Sequence, residues 1–139
     1  MNVEIKHQLL LKILLIACIV STAIHFTDNY FYIEQYPQPD WITPPSIYIA
    51  WIIWTVIGIV GYWLYKSRRF WFAYLCLVIY SFCGLDSLGH YFYGSMSEFS
   101  IKMHLFIVMD GLVGLAILGF TLWSGLILKE QFKESQTIV

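Results

Sequence analysis

The chain has 139 residues, 59% of them hydrophobic and only 12% charged, with a mean hydropathy of +0.68. Soluble domains carry about 25% charged residues, so this composition excludes an ordinary water-soluble domain. The net charge of −1, with its basic residues strung along helix boundaries, excludes a nucleic-acid surface.

A membrane-spanning helix needs about 20 mostly apolar residues. Four such runs are present, at about 8–32, 46–65, 70–93 and 103–127, and they leave only short loops and tails. The expected fold class is all-α: one integral membrane domain over residues 1–139, built as a four-transmembrane-helix bundle.

The first run follows Lys6 and Lys12 as a signal peptide would. It continues past the 7–15 residues of a signal core and has no small-x-small cleavage pattern, so it reads as a retained helix. It ends in Tyr30, Phe31, Tyr32 and Tyr36, aromatic residues suited to the headgroup level. A loop with Pro37, Pro39, Asp40 and Trp41 leads to Pro44 and Pro45, which open the second helix where a missing N–H costs little. That helix carries Trp51, Trp54 and Trp63 and no ionisable group, as a packing or lipid-facing wall would. Thr55 is expected to bond to its own backbone.

A short turn, Lys66 to Arg69, precedes Phe70, Trp71 and Phe72 of the third helix. The fourth helix holds Gly111, Gly114, Gly119 and Gly125, which allow a neighbouring helix to approach closely. Cys18, Cys76 and Cys83 lie inside the runs without a C-x-x-C pattern and read as small apolar residues.

Four spans place both tails on one side. That side holds Lys6, Lys12, Lys66, Arg68, Arg69, Lys129 and Lys133, against Lys102 alone on the other. Short loops rich in Lys and Arg stay in the cytoplasm, so both termini and the Lys66–Arg69 turn are expected there.

Against this apolar background six ionisable residues stand out: His25, Asp28, Asp86, His90, His104 and Asp110. Each costs roughly 2.5–3.5 kcal/mol to place in lipid, which makes the cluster a functional-site candidate. His25 and Asp28 are three apart and Asp86 and His90 four apart, so on α-helices each pair shares a face. At about 1.5 Å rise per residue, His25, Asp86 and Asp110 lie roughly 10–12 Å below the outer ends of their helices, and Asp28 and His90 roughly 6 Å. If the first and third helices touch, His25 faces Asp86 and Asp28 faces His90. His104 sits at the rim, where it can gate the deeper Asp110.

Three ionised Asp beside three neutral His leave negative charge that low dielectric does not tolerate. A divalent transition metal such as Zn or Fe, protonated His, protonated Asp or a cationic ligand would balance it, and mixed His and carboxylate sets suit such metals. The candidate metal ligands are His25, Asp86, His90 and His104; the candidate catalytic groups are Asp28, Asp86 and Asp110. Ser21 and Ser87 stand beside them and can orient them. Satisfied hydrogen bonds between helices explain the same residues without chemistry.

The stretches STAIHFTDN (Ser21–Asn29) and AYLCLVIYS (Ala73–Ser81), the Pro44–Pro45 loop end and the short basic turn together resemble the four-helix emopamil-binding, or EXPERA, family of sterol isomerases and sterol-binding proteins. The resemblance implies that Asp28, His25 and Asp86 handle protons or bind amines in a cavity. The second helix here lacks that family's acid, and Asp110 has no counterpart in it.

Three functions remain open at this point. The first is a metal or acid/base site, facing outward and acting on a lipophilic substrate. The second is a non-catalytic sterol or lipid binder, and the third a subunit of a membrane complex or a proton-coupled transporter. The expected partners are the bilayer, a lipophilic small molecule and, for the third, further protein subunits.

Overall fold

A computed structural model describes residues 3–133, with the side chain of Lys133 excepted, and turns each apolar run into a helix. The helices are α1 (Val3–Phe31), α2 (Pro44–Lys66), α3 (Phe70–Leu85), α4 (Ile101–Leu122) and a final single turn, α5 (Glu130–Lys133). Four helical stretches are long and apolar enough to cross a membrane.

Local chemistry sets the ends. Before α2, the Thr43 N–H donates to Ser46 Oγ at 2.9 Å, and Pro44 and Pro45 begin the helix without wasting a donor. Ser100 caps α4 by accepting the Met103 N–H at 3.3 Å. Between α2 and α3 the chain reverses through Arg68, whose φ of 60° is left-handed.

Two boundaries differ from expectation in kind. The third run is not one α-helix: after Leu85 it tightens into a 3₁₀ helix over Asp86–Phe92. The fourth run loosens into a π turn over Trp123–Ile127, and α5 then folds back under the bundle. α1 also starts at Val3, well before residue 8.

The helices pack in a ring. Each touches its neighbours in sequence and α4 closes onto α1, so α1 and α3 stand diagonally opposite with few contacts. The loops 32–43 and 93–100 share one end, here called the loop end, and the start of α1, the 67–69 turn and α5 share the tail end.

The exterior is apolar: Ile13, Ile16, Val20, Ile52, Val56, Leu112 and Leu115 all face outward. Polar groups are turned inward, with Thr22, His25, Ser81, Ser87, Asp110, Thr121 and Ser124 buried. An outside this apolar all round fits lipid and not water.

α3 and α4 cross at two glycines. A Cβ on Gly114 would lie 2.7 Å from the Ser81 carbonyl oxygen, and one on Gly84 would run into the Asp110 carbonyl. Gly119 has open space instead, so only some of the expected glycines serve packing. Thr55 does not bond to its own backbone; its hydroxyl is buried without a partner. Cys18, Cys76 and Cys83 are free thiols.

Candidate functional site

Asp110 is the centre of the loop-end site and is wholly buried. It projects from α4 one turn from the Gly114 crossing. Its Oδ1 accepts the Ser21 hydroxyl of α1 at 2.5 Å, and its Oδ2 accepts the Ser87 hydroxyl at 3.1 Å and the His25 Nδ1–H at 2.8 Å. Three donors from two other elements therefore hold one carboxylate, which answers most of its burial cost.

The same bonds fix His25. With Nδ1 committed to Asp110, the ring's other nitrogen, Nε2, is the atom at which a proton is taken or given. That atom is buried and has no partner. The His25 ring stands 5.5 Å from the His90 ring and 5.6 Å from that of Tyr36, centroid to centroid.

His25 lies on the wall of a cavity of about 380 Å³ between α1, α2 and the 3₁₀ segment. Its apolar lining includes Phe26, Ile47, Ile53 and Trp54, and its polar lining includes Asn29, Asp86 and His90. The size and the apolar walls with few polar groups match a small-molecule site. Asn29 donates to Gln38 at 3.1 Å but leaves its own Oδ1 buried and unpartnered. His90 donates from Nδ1 to the Pro37 carbonyl at 2.9 Å, which ties the loop over the cavity.

The expected pairings are overturned. His25 meets Asp110 and not Asp86, and Asp28 meets Lys102 at 2.7 Å and the Tyr36 hydroxyl at 2.8 Å and not His90. The ring order is the reason, because α1 has α2 and α4 as neighbours while α3 is diagonal. Asp86 and His90 also do not share a face: in a 3₁₀ helix of three residues per turn, positions four apart point about 120° apart. Both still reach the cavity, as does His25.

Asp28 and His104 stand apart from this group. Lys102 supplies a positive charge to Asp28. Burial, with Asp28 beside it, pushes the Tyr36 hydroxyl up, so Tyr36 stays a protonated donor. His104 accepts the Tyr91 hydroxyl at 2.9 Å and donates to the Met96 carbonyl at 3.2 Å, bracing the 93–100 loop away from the cavity.

The donor set does not fit a metal. Among the described residues no three His, Cys, Asp or Glu side chains are placed to hold one. His104 is engaged elsewhere, and the His25 nitrogen nearest a carboxylate is already spent on Asp110.

A second polar cluster, missed from the sequence, closes the tail end. Glu130 accepts His7 Nδ1–H at 2.5 Å, the Tyr65 hydroxyl at 2.5 Å and the Ser124 hydroxyl at 2.6 Å; Tyr74 then donates to Ser124 at 2.8 Å. One carboxylate thereby links α1, α2, α3 and the π turn. A signal was present: His7 and His25 are 18 residues apart, five turns of about 3.6, and so share a face of α1.

No protein-family model, curated protein or solved structure matches this chain.

Proposed function

We propose that this chain is a four-span membrane protein with both tails cytoplasmic, whose outward-lying cavity holds a lipophilic molecule against an acid/base group, His25. The observation that carries this reading is the His25 ring, which lines an apolar cavity with one nitrogen locked by Asp110 and the other buried without a partner. A carboxylate that fixes the tautomer and steadies the imidazolium is how a histidine is prepared for proton transfer.

Asp86 supports the reading as a second titratable group on the same wall. It is exposed at the cavity mouth, and no hydrogen bond or ion pair engages it among the described residues. Placing a carboxylate in an apolar rim without a partner is costly, and a bound molecule would relieve that cost. Asp110 serves as a positioning residue, linked to the cavity wall through His25 and Ser87.

The apolar lining favours a second reading, a lipid binder in which the His25–Asp110 pair only braces the bundle. One experiment separates the two. Full-length protein and the cavity-filling variant Ala50→Trp are purified in lipid nanodiscs and their extracts compared by mass spectrometry. The expected result is a lipophilic molecule carried by the wild type and absent from the variant; identical extracts overturn both readings. His25→Gln should lower its retention about tenfold, and undiminished retention would leave only the lipid binder.

A further inference from the structure

The unpartnered atoms of the cavity define what it lacks. His25 Nε2 and Asn29 Oδ1 are both buried without a partner, on side chains 2% and 7% exposed. They stand one turn apart on α1, a separation of about 5–6 Å between neighbouring Cβ atoms. Buried acceptors left unpaired are costly, so the complementary ligand brings two separate hydrogen-bond donors.

The rest of the cavity narrows the class. Phe26, Trp41 and Trp54 supply aromatic surface, which favours a flat ring. Ile49 and Ile53 line the cavity and are also exposed on the outer face of α2, at 58% and 55%. The cavity therefore opens sideways, where an apolar tail passes into the surrounding lipid. About 380 Å³ is near the lower end for ligand sites, which suits a single head and not a two-chain phospholipid.

Acidity decides between kinds of hydroxyl. A phenol, of pKa about 10 as in tyrosine, donates to a neutral imidazole nitrogen more strongly and gives up its proton far more readily than an aliphatic alcohol does. We infer that the cavity takes an aromatic para-diol, a hydroquinone carrying an apolar tail, with one hydroxyl on His25 Nε2 and the other on Asn29 Oδ1. In the proton step the phenolic O–H bond breaks, its electron pair stays on oxygen and the proton forms the Nε2–H bond; no electron leaves the ring. This assignment rests on the acid/base reading of the same cavity.

The test uses the full chain in nanodiscs, titrated under argon with 2-decylhydroquinone and with its dimethyl ether, and followed by tryptophan fluorescence. The expected result is diol binding about tenfold tighter than ether binding, and saturable. His25→Gln and Asn29→Leu should each reduce that preference while ether binding stays the same. The ratio of the two affinities is the readout, because a damaged fold weakens both ligands together. Equal affinity of the wild type for diol and ether overturns the inference, as does tighter binding of decylamine or decanol than of the diol. If Ala50→Trp still abolishes binding of those other ligands, the cavity reading survives the loss of the diol; if no lipophile shows such sensitivity, both fall.

Discussion

Gly84 of α3 and Asp110 of α4 meet backbone to backbone: a Cβ on Gly84 would overlap the Asp110 carbonyl oxygen. A close approach of α3 and α4 thus falls on the residue that holds His25. Gly84→Ala must push α4 outward and carry the Asp110 carboxylate with it. Overpacking of this kind costs about 1–3 kcal/mol, and Gly114→Ala, facing the Ser81 carbonyl, should cost as much. Gly119→Ala, with open space around it, should leave the melting temperature unchanged. Thermal unfolding of the three variants in one detergent checks the order, and equal stability of all three would contradict the crossing.

Removing the Asp110 carboxylate should separate two effects. Asp110→Leu leaves Ser21, Ser87 and His25 Nδ1 buried without their acceptor, which is expected to destabilise by about 3–5 kcal/mol. Asp110→Asn keeps an acceptor and should cost about 1–3 kcal/mol while loosening the hold on the His25 tautomer. Nitrogen-15 spectra of the histidine ring should show Nδ1 protonated in the wild type and a mixture of tautomers in Asp110→Asn. A wild-type ring protonated only on Nε2 would overturn the arrangement.

The contrast between these two sites explains what could be read from the chain. Spans were legible because uninterrupted apolar runs leave no other fold, and His25 and Asp110 were legible because charge is conspicuous in such runs. Which partner each would take was not, since that depends on ring order, and nothing local in α1 tells whether α3 or α4 lies beside it. The 3₁₀ segment was hidden as well: Asp86–Phe92 is apolar enough to continue a helix, and only contacts such as Leu88 against Gly111 and Ser87 on Asp110 show the tightening. Glu130 and His7 escaped notice because they lie at the edges of apolar runs, where ionisable residues are common.

The proposed orientation gives a further expectation. Reporter fusions at the C-terminus should be active when the reporter folds in the cytoplasm, and a fusion within the 93–100 loop should report the opposite side. The bias of seven basic residues to one drives this. Moving charge tests the cause: replacing Lys66, Arg68 and Arg69 by Gln while adding three Lys near Lys102 should produce a detectable inverted fraction. An unaltered orientation would mean that other features set the topology.

Glu130 predicts an acid-sensitive tail end. Burial pushes the Glu130 carboxyl up, but the bonds from Ser124, Tyr65 and His7 outweigh that and hold it below the ordinary carboxylate range. A carboxyl depressed in the folded state contributes stability that is present above its unfolded value, about 4.3, and is lost as pH falls through the folded value. Glu130→Gln should therefore be less stable than wild type at neutral pH, and the gap should shrink as pH drops below about 4. The strained neighbourhood adds to the effect, since Lys129 is left-handed at φ 51° and the π turn precedes it. Such conformations persist only where surrounding contacts hold them, so freeing Glu130 should also expose the segment near Lys129 to trypsin. Melting curves across that pH range and limited proteolysis check both outcomes, and a constant gap between wild type and variant would remove Glu130 as the titrating group.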